Sequence, residues 1–216
     1  NLRFEDAPTP QPAPGEVRLR VTASGLNRAE SLYYHGQYFE EPRLPSRLGY
    51  EVAGIVEAVG EGVDRSWLEK TVGTVPGFSQ NRYGTLGEEA VVPVGVLAIS
   101  PPNLTPAQAA AVWMAYLTAY GALVRLGQVT GGDFVSITAA SSSVGLAAIQ
   151  LTRDAGATPI AVTRTAAKRA ELLALGADHV VVTPRRGTMW RGSRTSPAGE
   201  ERVSRSTPWA DLSPKN

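Results

Sequence analysis

The segment Ala139-Ala140-Ser141-Ser142-Ser143-Val144-Gly145 is a run of small residues between the apolar stretch FVSITA and the helical pattern VGLAAIQLTRDAG. A strand leading through a small-residue turn into a helix can hold a pyrophosphate. Backbone N–H groups and the positive end of the helix dipole face the anion, and large side chains would bar its approach. Set against G-x-G-x-x-G, the turn reads Ala140-x-Ser142-x-x-Gly145, with the last glycine kept. Ser141, Ser142 and Ser143 carry hydroxyls able to donate to phosphate, and Val144 belongs to the same turn. A tight core turn would use the same residues. The strand–helix–strand setting is what favours a nucleotide.

The next apolar run, PIAVT, ends in Thr163-Arg164-Thr165, with Lys168 and Arg169 close behind. An NAD site would place Asp or Glu about 20 residues after the turn, gripping the ribose hydroxyls. No carboxylate stands here, and an acid would repel a 2′-phosphate. Arg164 and Lys168 can pair with that phosphate, so NADP(H) is the expected cofactor. Lys168 and Arg169 also suit an ordinary solvated helix face.

Other chemistries have less support. The 216 residues include no cysteine, which excludes disulfides, thiolate nucleophiles and cysteine-ligated zinc. No G-x-S-x-G elbow and no Ser/His/Asp set points to hydrolysis. The histidines are His35 and His179. His179 opens an apolar run and reads as structural. Net charge is +1, but residues 185–216 hold six Arg and one Lys against three acids, so the body of the chain is acidic overall. That balance argues against a nucleic-acid-binding body. No run reads as the roughly 18–20 apolar residues of a membrane span, and cytoplasmic residence is the expectation.

The elements that would position these residues change in texture along the chain. Up to about residue 100, short alternating runs such as EVRLRV, EVAGIVEAVG and EEAVVPV are broken by Gly and Pro, the pattern of a compact β-barrel-like domain. Val17, Leu19 and Val21 fall on one face of the first run. Thr105-Pro106-Ala107-Gln108 has the form of a helix start, with a hydroxyl cap, proline in first place and a reciprocating Gln. The apolar helical stretch after it should break near Tyr116 and stop at Gly127. From Gly132 the order is strand, helix, strand, helix, strand, with helix ends at Gly156 and Gly176 and a cap at Thr165. Such alternation implies parallel strands with right-handed crossovers.

These segments resemble the medium-chain dehydrogenase/reductase family along most of residues 5–183. The words that carry the likeness are PTPQPAPGEVRLRVTASGLN, LGYEVAGIVEAVGEGV, AYLTAYGALV and VSITAASSSVGLAAIQLTRDAGATPIAVTRTAAKRAELLALGADHVV. Zinc-bearing members place a cysteine ligand in a Cys-His-x-Asp-like segment, where this chain reads Asn27-Arg28-Ala29-Glu30. Their Gly-His-Glu is Gly49-Tyr50-Glu51 here. The resemblance is therefore to the zinc-free quinone and enoyl reductase branch, with no metal expected. It implies hydride transfer from NADPH to a quinone or an α,β-unsaturated carbonyl. Gly36-Gln37-Tyr38 matches the branch's Gly-x-Tyr turn, making Tyr38 the expected donor to the carbonyl. Asn27 would orient substrate or nicotinamide, and Thr118, with Tyr120, would line the cofactor cleft. A half-buried barrel aromatic is the plainer role for Tyr38, core packing the plainer one for Thr118.

The resemblance implies an α/β protein: a GroES-like, β-barrel-like catalytic domain over 1–104, connecting helices over 105–130, and the first half of a Rossmann-type NADP-binding domain over 131–184. The basic stretch 185–216 is expected to be a disordered tail. The start reads as lacking a first strand, and the second half of the nucleotide domain has no counterpart. The family is usually homodimeric, but the interface would be missing. A non-catalytic, truncated nucleotide-binding remnant is accordingly the alternative to an active reductase. The expected partner is a small conjugated carbonyl or quinone, with no specific nucleic acid and no membrane.

Overall fold

A computed structural model describes residues 2–183, so the expectation for 185–216 falls outside the described residues. The chain divides into two compact units, residues 1–115 and the remainder from Tyr116.

The first unit is built on a five-stranded antiparallel sheet of order β4-β1-β2-β3-β5. Its strands are β1 (Glu16–Gly25), β2 (Glu51–Val59), β3 (Thr71–Thr74), β4 (Glu89–Pro93) and β5 (Leu97–Ile99). Strand β1 alternates as expected. Val17 and Leu19 are fully buried and join Val52, Val56, Val72 and Val92 in the core, with Val21 packed at its margin. Burying each such side chain contributes about 1.5–3 kcal/mol. The pairing of β1 with β2 shifts register between Arg18 and Leu19 and again between Val21 and Ala23. Such bulges increase local twist and bend the strand.

Helix α1 (Arg28–Tyr34) follows β1 directly, and α2 (Pro106–Ala109) packs on β1 and β2 through Ala109 and Ala110 against Ala53 and Ala23. Its start matches the expected capping box: Thr105 Oγ1 accepts from Gln108 N at 3.3 Å, and Gln108 Oε1 accepts from Thr105 N at 2.9 Å. The following break lies at residues 110–112, not near Tyr116, which sits inside α3 (Trp113–Tyr120). The helix then widens into a π-helical turn, Gly121–Leu126, and stops at Gly127 as expected. One expectation is corrected here. Pro106–Leu126, with mean hydropathy up to 1.3 over its best window, is long and apolar enough to cross a membrane by length and composition. The run contains Gln, Thr and Arg as well as alanines, so it reads as less apolar residue by residue than it is on average. Core helices of soluble proteins pass the same test.

In the second unit β6 (Phe134–Ile137), β7 (Thr158–Thr163) and β8 (His179–Val182) form a parallel sheet of order β6-β7-β8. Helix α4 (Ser143–Asp154) connects β6 to β7 and buries Ala147, Ala148 and Ile149. Helix α5 (Arg169–Ala174) connects β7 to β8 and buries Leu172. Thr165 caps a 3-10 turn, Ala166–Lys168, that precedes α5, and Gly156 and Gly176 take the left-handed conformation just past their helices.

Candidate functional site

In the first unit, the loop after α1 carries Tyr38, and a polar network holds that loop. Tyr33 is fully buried, and its hydroxyl donates to Asn81 Oδ1 at 2.7 Å. Asn81 Nδ2 donates to Glu40 Oε1 and to the Glu41 carbonyl, both at 2.9 Å, and Asn81 Oδ1 also accepts from Arg43 N at 2.6 Å. The Ser79 hydroxyl donates to Glu40, whose other oxygen accepts from Gln80 N at 3.1 Å. Burial alone would raise Glu40, but these donors outweigh it and hold the carboxyl below its ordinary range. A cleft of about 730 Å³ beside this network is lined by Glu40, Glu41, Pro42, Arg43, Ser79, Asn81 and Arg82. It does not include Tyr38.

Tyr38 is half-buried, with its ring centroid 6.1 Å from that of Tyr50 and 4.3 Å from that of Phe39. Burial raises its ionisation above the ordinary phenol range, and the Glu30 and Glu40 charges add to the effect. Tyr38 therefore stays a neutral O–H at neutral pH, the form that can donate.

Asn27 precedes α1 as its cap. Its backbone N–H donates to Glu30 Oε2 at 2.9 Å, and its Nδ2 donates to Glu51 Oε2 at 3.1 Å. The amide expected to orient substrate or nicotinamide is thus held in place by Glu51 through one of its N–H groups. Glu51 Oε1 accepts from Met114 N at 3.1 Å, in the first turn of α3, where a carboxylate also suits the helix dipole. Glu30 Oε1 accepts from Tyr50 N at 3.2 Å. Both carboxyls are raised above their ordinary range, chiefly by burial, and the Glu51 charge also raises Glu30. His35, three residues before Tyr38, is exposed. Its Nδ1 lies 2.7 Å from the Ser31 carbonyl and its ring lies 4.3 Å from that of Tyr34.

In the second unit the small-residue turn sits at the end of β6 and opens α4. Ser142 is the cap: its Oγ accepts from Gly145 N at 3.1 Å and its carbonyl accepts from Leu146 N at 2.8 Å. The remaining first-turn amides, of Ser143 and Val144, have no intrahelical acceptor and face outward with the dipole behind them. Ser141 and Ser143 are exposed, while Ala140 is fully buried. Ala139 lies at φ +49°, the left-handed region that favours glycine. A Cβ on Gly145 would stand 2.6 Å from the Ala140 carbonyl oxygen and 2.7 Å from that of Ala139, so only glycine lets α4 start this close to the turn.

Arg164 follows β7 and is exposed, at the same end of the parallel sheet as the turn. Lys168 is paired: its Nζ donates to Glu171 Oε2 at 3.1 Å. Arg169 is tied to the fold, donating to the Val180 carbonyl at 3.0 Å. Thr118 and Tyr120 lie on the exposed side of α3, outside the core. His179 begins β8 and is exposed. The residues present fit a dinucleotide phosphate: two open amides at a helix start, small side chains around them, and a cation with no acid beside it among the described residues.

Tyr50, Gln80, Glu40 and Asn81 were not singled out as site residues by sequence. The Gly-Tyr-Glu departure at Tyr50 was the available signal for the first. The others lie in loops without a motif.

Residues 13–102 match the family described as the alcohol dehydrogenase GroES-like domain. The chain is 37% identical over 181 residues to the synaptic vesicle membrane protein VAT-1 homolog of Rattus norvegicus, covering 83% of this chain and 43% of that protein. Among solved structures, an NAD-dependent alcohol dehydrogenase superposes with a TM-score of 0.79 at 34% identity, covering 84% of this chain and 59% of the other. The quinone oxidoreductase from Thermus thermophilus, also solved in complex with NADPH, gives 0.73 at 36% identity, covering 83% and 55%. The chain thus spans less than half of its vesicle-protein relative and little more than half of these enzymes.

Proposed function

Because this chain belongs to the medium-chain dehydrogenase/reductase family, we propose that it acts as an NADPH-dependent reductase of quinones or α,β-unsaturated carbonyls, working without zinc. Bound NADPH supplies a hydride to the conjugated acceptor. The chain's own part is to bind and to donate. The Ser143 and Val144 amides, with the Ser141 and Ser143 hydroxyls, hold the pyrophosphate, and Ala140, Ser142 and Gly145 keep the turn small enough to admit it. Arg164 pairs with the 2′-phosphate.

Tyr38 offers its neutral O–H to the acceptor's carbonyl oxygen, where charge accumulates as the hydride arrives. Asn27, held by Glu51, orients the substrate or the nicotinamide through the rest of its amide. Zinc has no role in this reading, because the chain has no cysteine and Tyr50 replaces the histidine ligand. A small-molecule acceptor and a cytoplasmic setting belong to the same proposal.

The observation that carries this reading is the open start of α4 beside an acid-free strand end bearing Arg164. Fluorescence titration with NADPH and NADH tests it, followed by NADPH oxidation against a panel of quinones and enones. Tighter binding of NADPH and turnover of a conjugated acceptor are expected; equal or absent binding of both nucleotides overturns it.

A nucleotide-binding role without turnover is the second reading. It is favoured by a parallel sheet of three strands among the described residues. Nucleotide binding with no turnover of any acceptor would select it.

A further inference from the structure

Asn81 spends the whole hydrogen-bonding capacity of its side chain on the two sides of one loop. Its Oδ1 accepts from the Tyr33 hydroxyl at 2.7 Å and from Arg43 N at 2.6 Å. Its Nδ2 donates to Glu40 Oε1 and to the Glu41 carbonyl, both at 2.9 Å. An amide has two acceptor and two donor sites, so none is left over. The orientation is fixed as well, because a reversed amide would set N–H against the Arg43 N–H.

These partners bracket Tyr38. Tyr33 stands five residues before it, fully buried in the last turn of α1, and Glu40, Glu41 and Arg43 stand two, three and five residues after it. The Tyr38 ring itself meets Phe39 at 4.3 Å and Tyr50 at 6.1 Å between centroids. Phe39 belongs to the same loop and moves with it, so the hold on the loop's two sides sets where the phenol stands.

The residue that grips the loop is anchored in turn. Asn81 N donates to Ser79 Oγ at 3.1 Å, and Tyr83 N donates to the Ser79 carbonyl at 2.9 Å, closing a turn. Farther on, Leu86 N donates to the Leu48 carbonyl at 2.8 Å, and a Cβ on Gly84 would stand 2.2 Å from that of Arg47. Residues 79–86 therefore run as a fixed rail beside the chain that follows Tyr38, and at Asn81 that rail reaches α1 as well. We infer that Asn81 is a positioning residue for Tyr38: its one amide ties α1 to the far side of the loop and holds the phenol where the acceptor's carbonyl arrives. This rests on the reading of Tyr38 as the donor.

The test compares the parent chain with Asn81→Asp, which keeps the shape and both acceptor sites but cannot donate and sets a second carboxylate against Glu40. Amide hydrogen exchange is followed by NMR, with kcat and KM measured for NADPH oxidation by cyclohex-2-enone. Exchange at the bonded amides of Gly36, Gln37 and Arg43 should rise about tenfold, with the second unit unchanged. The kcat should fall about tenfold while NADPH affinity stays as it was. Adding Glu40→Gln supplies an N–H for the new carboxylate and should recover most of both losses. Unchanged exchange in the loop, or a rise spread evenly over the first unit, makes Asn81 an ordinary fold residue and overturns the inference. A loosened loop with parent kcat overturns it too, where Tyr38→Phe does lower kcat. If Tyr38→Phe leaves kcat intact, the donor reading fails and the loop-confined exchange still supports the hold on Tyr38. Should the chain turn over no acceptor, the Tyr38 fluorine resonance of the 3-fluorotyrosine-labelled chain takes the place of kcat: a shift in Asn81→Asp supports the placement and an unmoved line refutes it. Should Asn81→Asp fail to fold, Tyr33→Phe removes one of the four bonds and must give the same loop-confined rise, or the inference fails.

Discussion

The Asn27 side-chain amide donates to Glu51 Oε2 at 3.1 Å, joining the cap of α1 to the first residue of β2. Glu51 is 1% exposed, and its other oxygen accepts from Met114 N at the start of α3. One carboxylate thus ties two helix starts to the central sheet. Replacing it by alanine strands two donors in a buried place, which costs about 1–3 kcal/mol for each. Glu51→Ala should lower the urea midpoint sharply, whereas Glu51→Gln, which keeps one acceptor, should lose less. Equal losses would show that the carboxylate's charge, not its hydrogen bonds, holds the joint.

Burial raises both Glu30 and Glu51, so the native chain keeps protons that the unfolded chain releases. This contribution to stability is full below the ordinary carboxylate range and is lost as pH rises through the raised values. Glu16 and Glu40 are lowered instead, so their contribution is lost only as pH falls below the ordinary range, in a separate window. Unfolding midpoints measured from mildly acidic to neutral pH should therefore decline. Glu51→Gln should flatten the decline, since it removes one raised group and the charge that raises the other.

Ala139 pays for its left-handed backbone with a Cβ that glycine lacks. Ala139→Gly should stabilise the second unit by about 1 kcal/mol, the cost of holding a non-glycine residue in that region less the entropy that glycine adds to the unfolded chain. A calorimetric Tm that falls would mean that the entropy term wins.

At Gly145 the opposite holds, since a methyl there meets two backbone carbonyls that cannot rotate away. Gly145→Ala should cost about 1–3 kcal/mol and weaken NADPH binding by displacing the first turn of α4. Unchanged Tm and affinity would show that the helix start shifts freely.

Arg164 and Lys168 looked alike as cations, but they should not behave alike. Arg164→Ala should weaken NADPH binding about tenfold and leave NADH unaffected, because a charged hydrogen bond to phosphate is lost. Lys168→Ala should have a smaller effect, since its ammonium is shared with Glu171 in an exposed pair worth less than about 1 kcal/mol. Nucleotide titrations of the two variants compare them directly, and an equal loss would mean that Lys168 leaves Glu171 for the phosphate.

Local sequence was enough for the elements and their ends. The order of strands and helices, the Thr105–Gln108 capping box, the Thr165 cap and the stops at Gly127, Gly156 and Gly176 depend on periodicity and on contacts within a few residues. The turn opening α4 was legible for the same reason. Even the Lys168–Glu171 pair was within reach of such a reading, since the two lie three residues apart.

Which polar groups meet was settled by tertiary packing alone. Asn27 finds Glu51 24 residues away, Gly49 finds Gln80 31 away, and Tyr33 finds Asn81 48 away. Residue type along the chain does not encode such pairings. They arise because packing β1, β2 and β3 buries the groups together, and a buried donor or acceptor must then take the partner the sheet register brings to it. That is why the Asn27–Glu51 contact could not be read from the sequence.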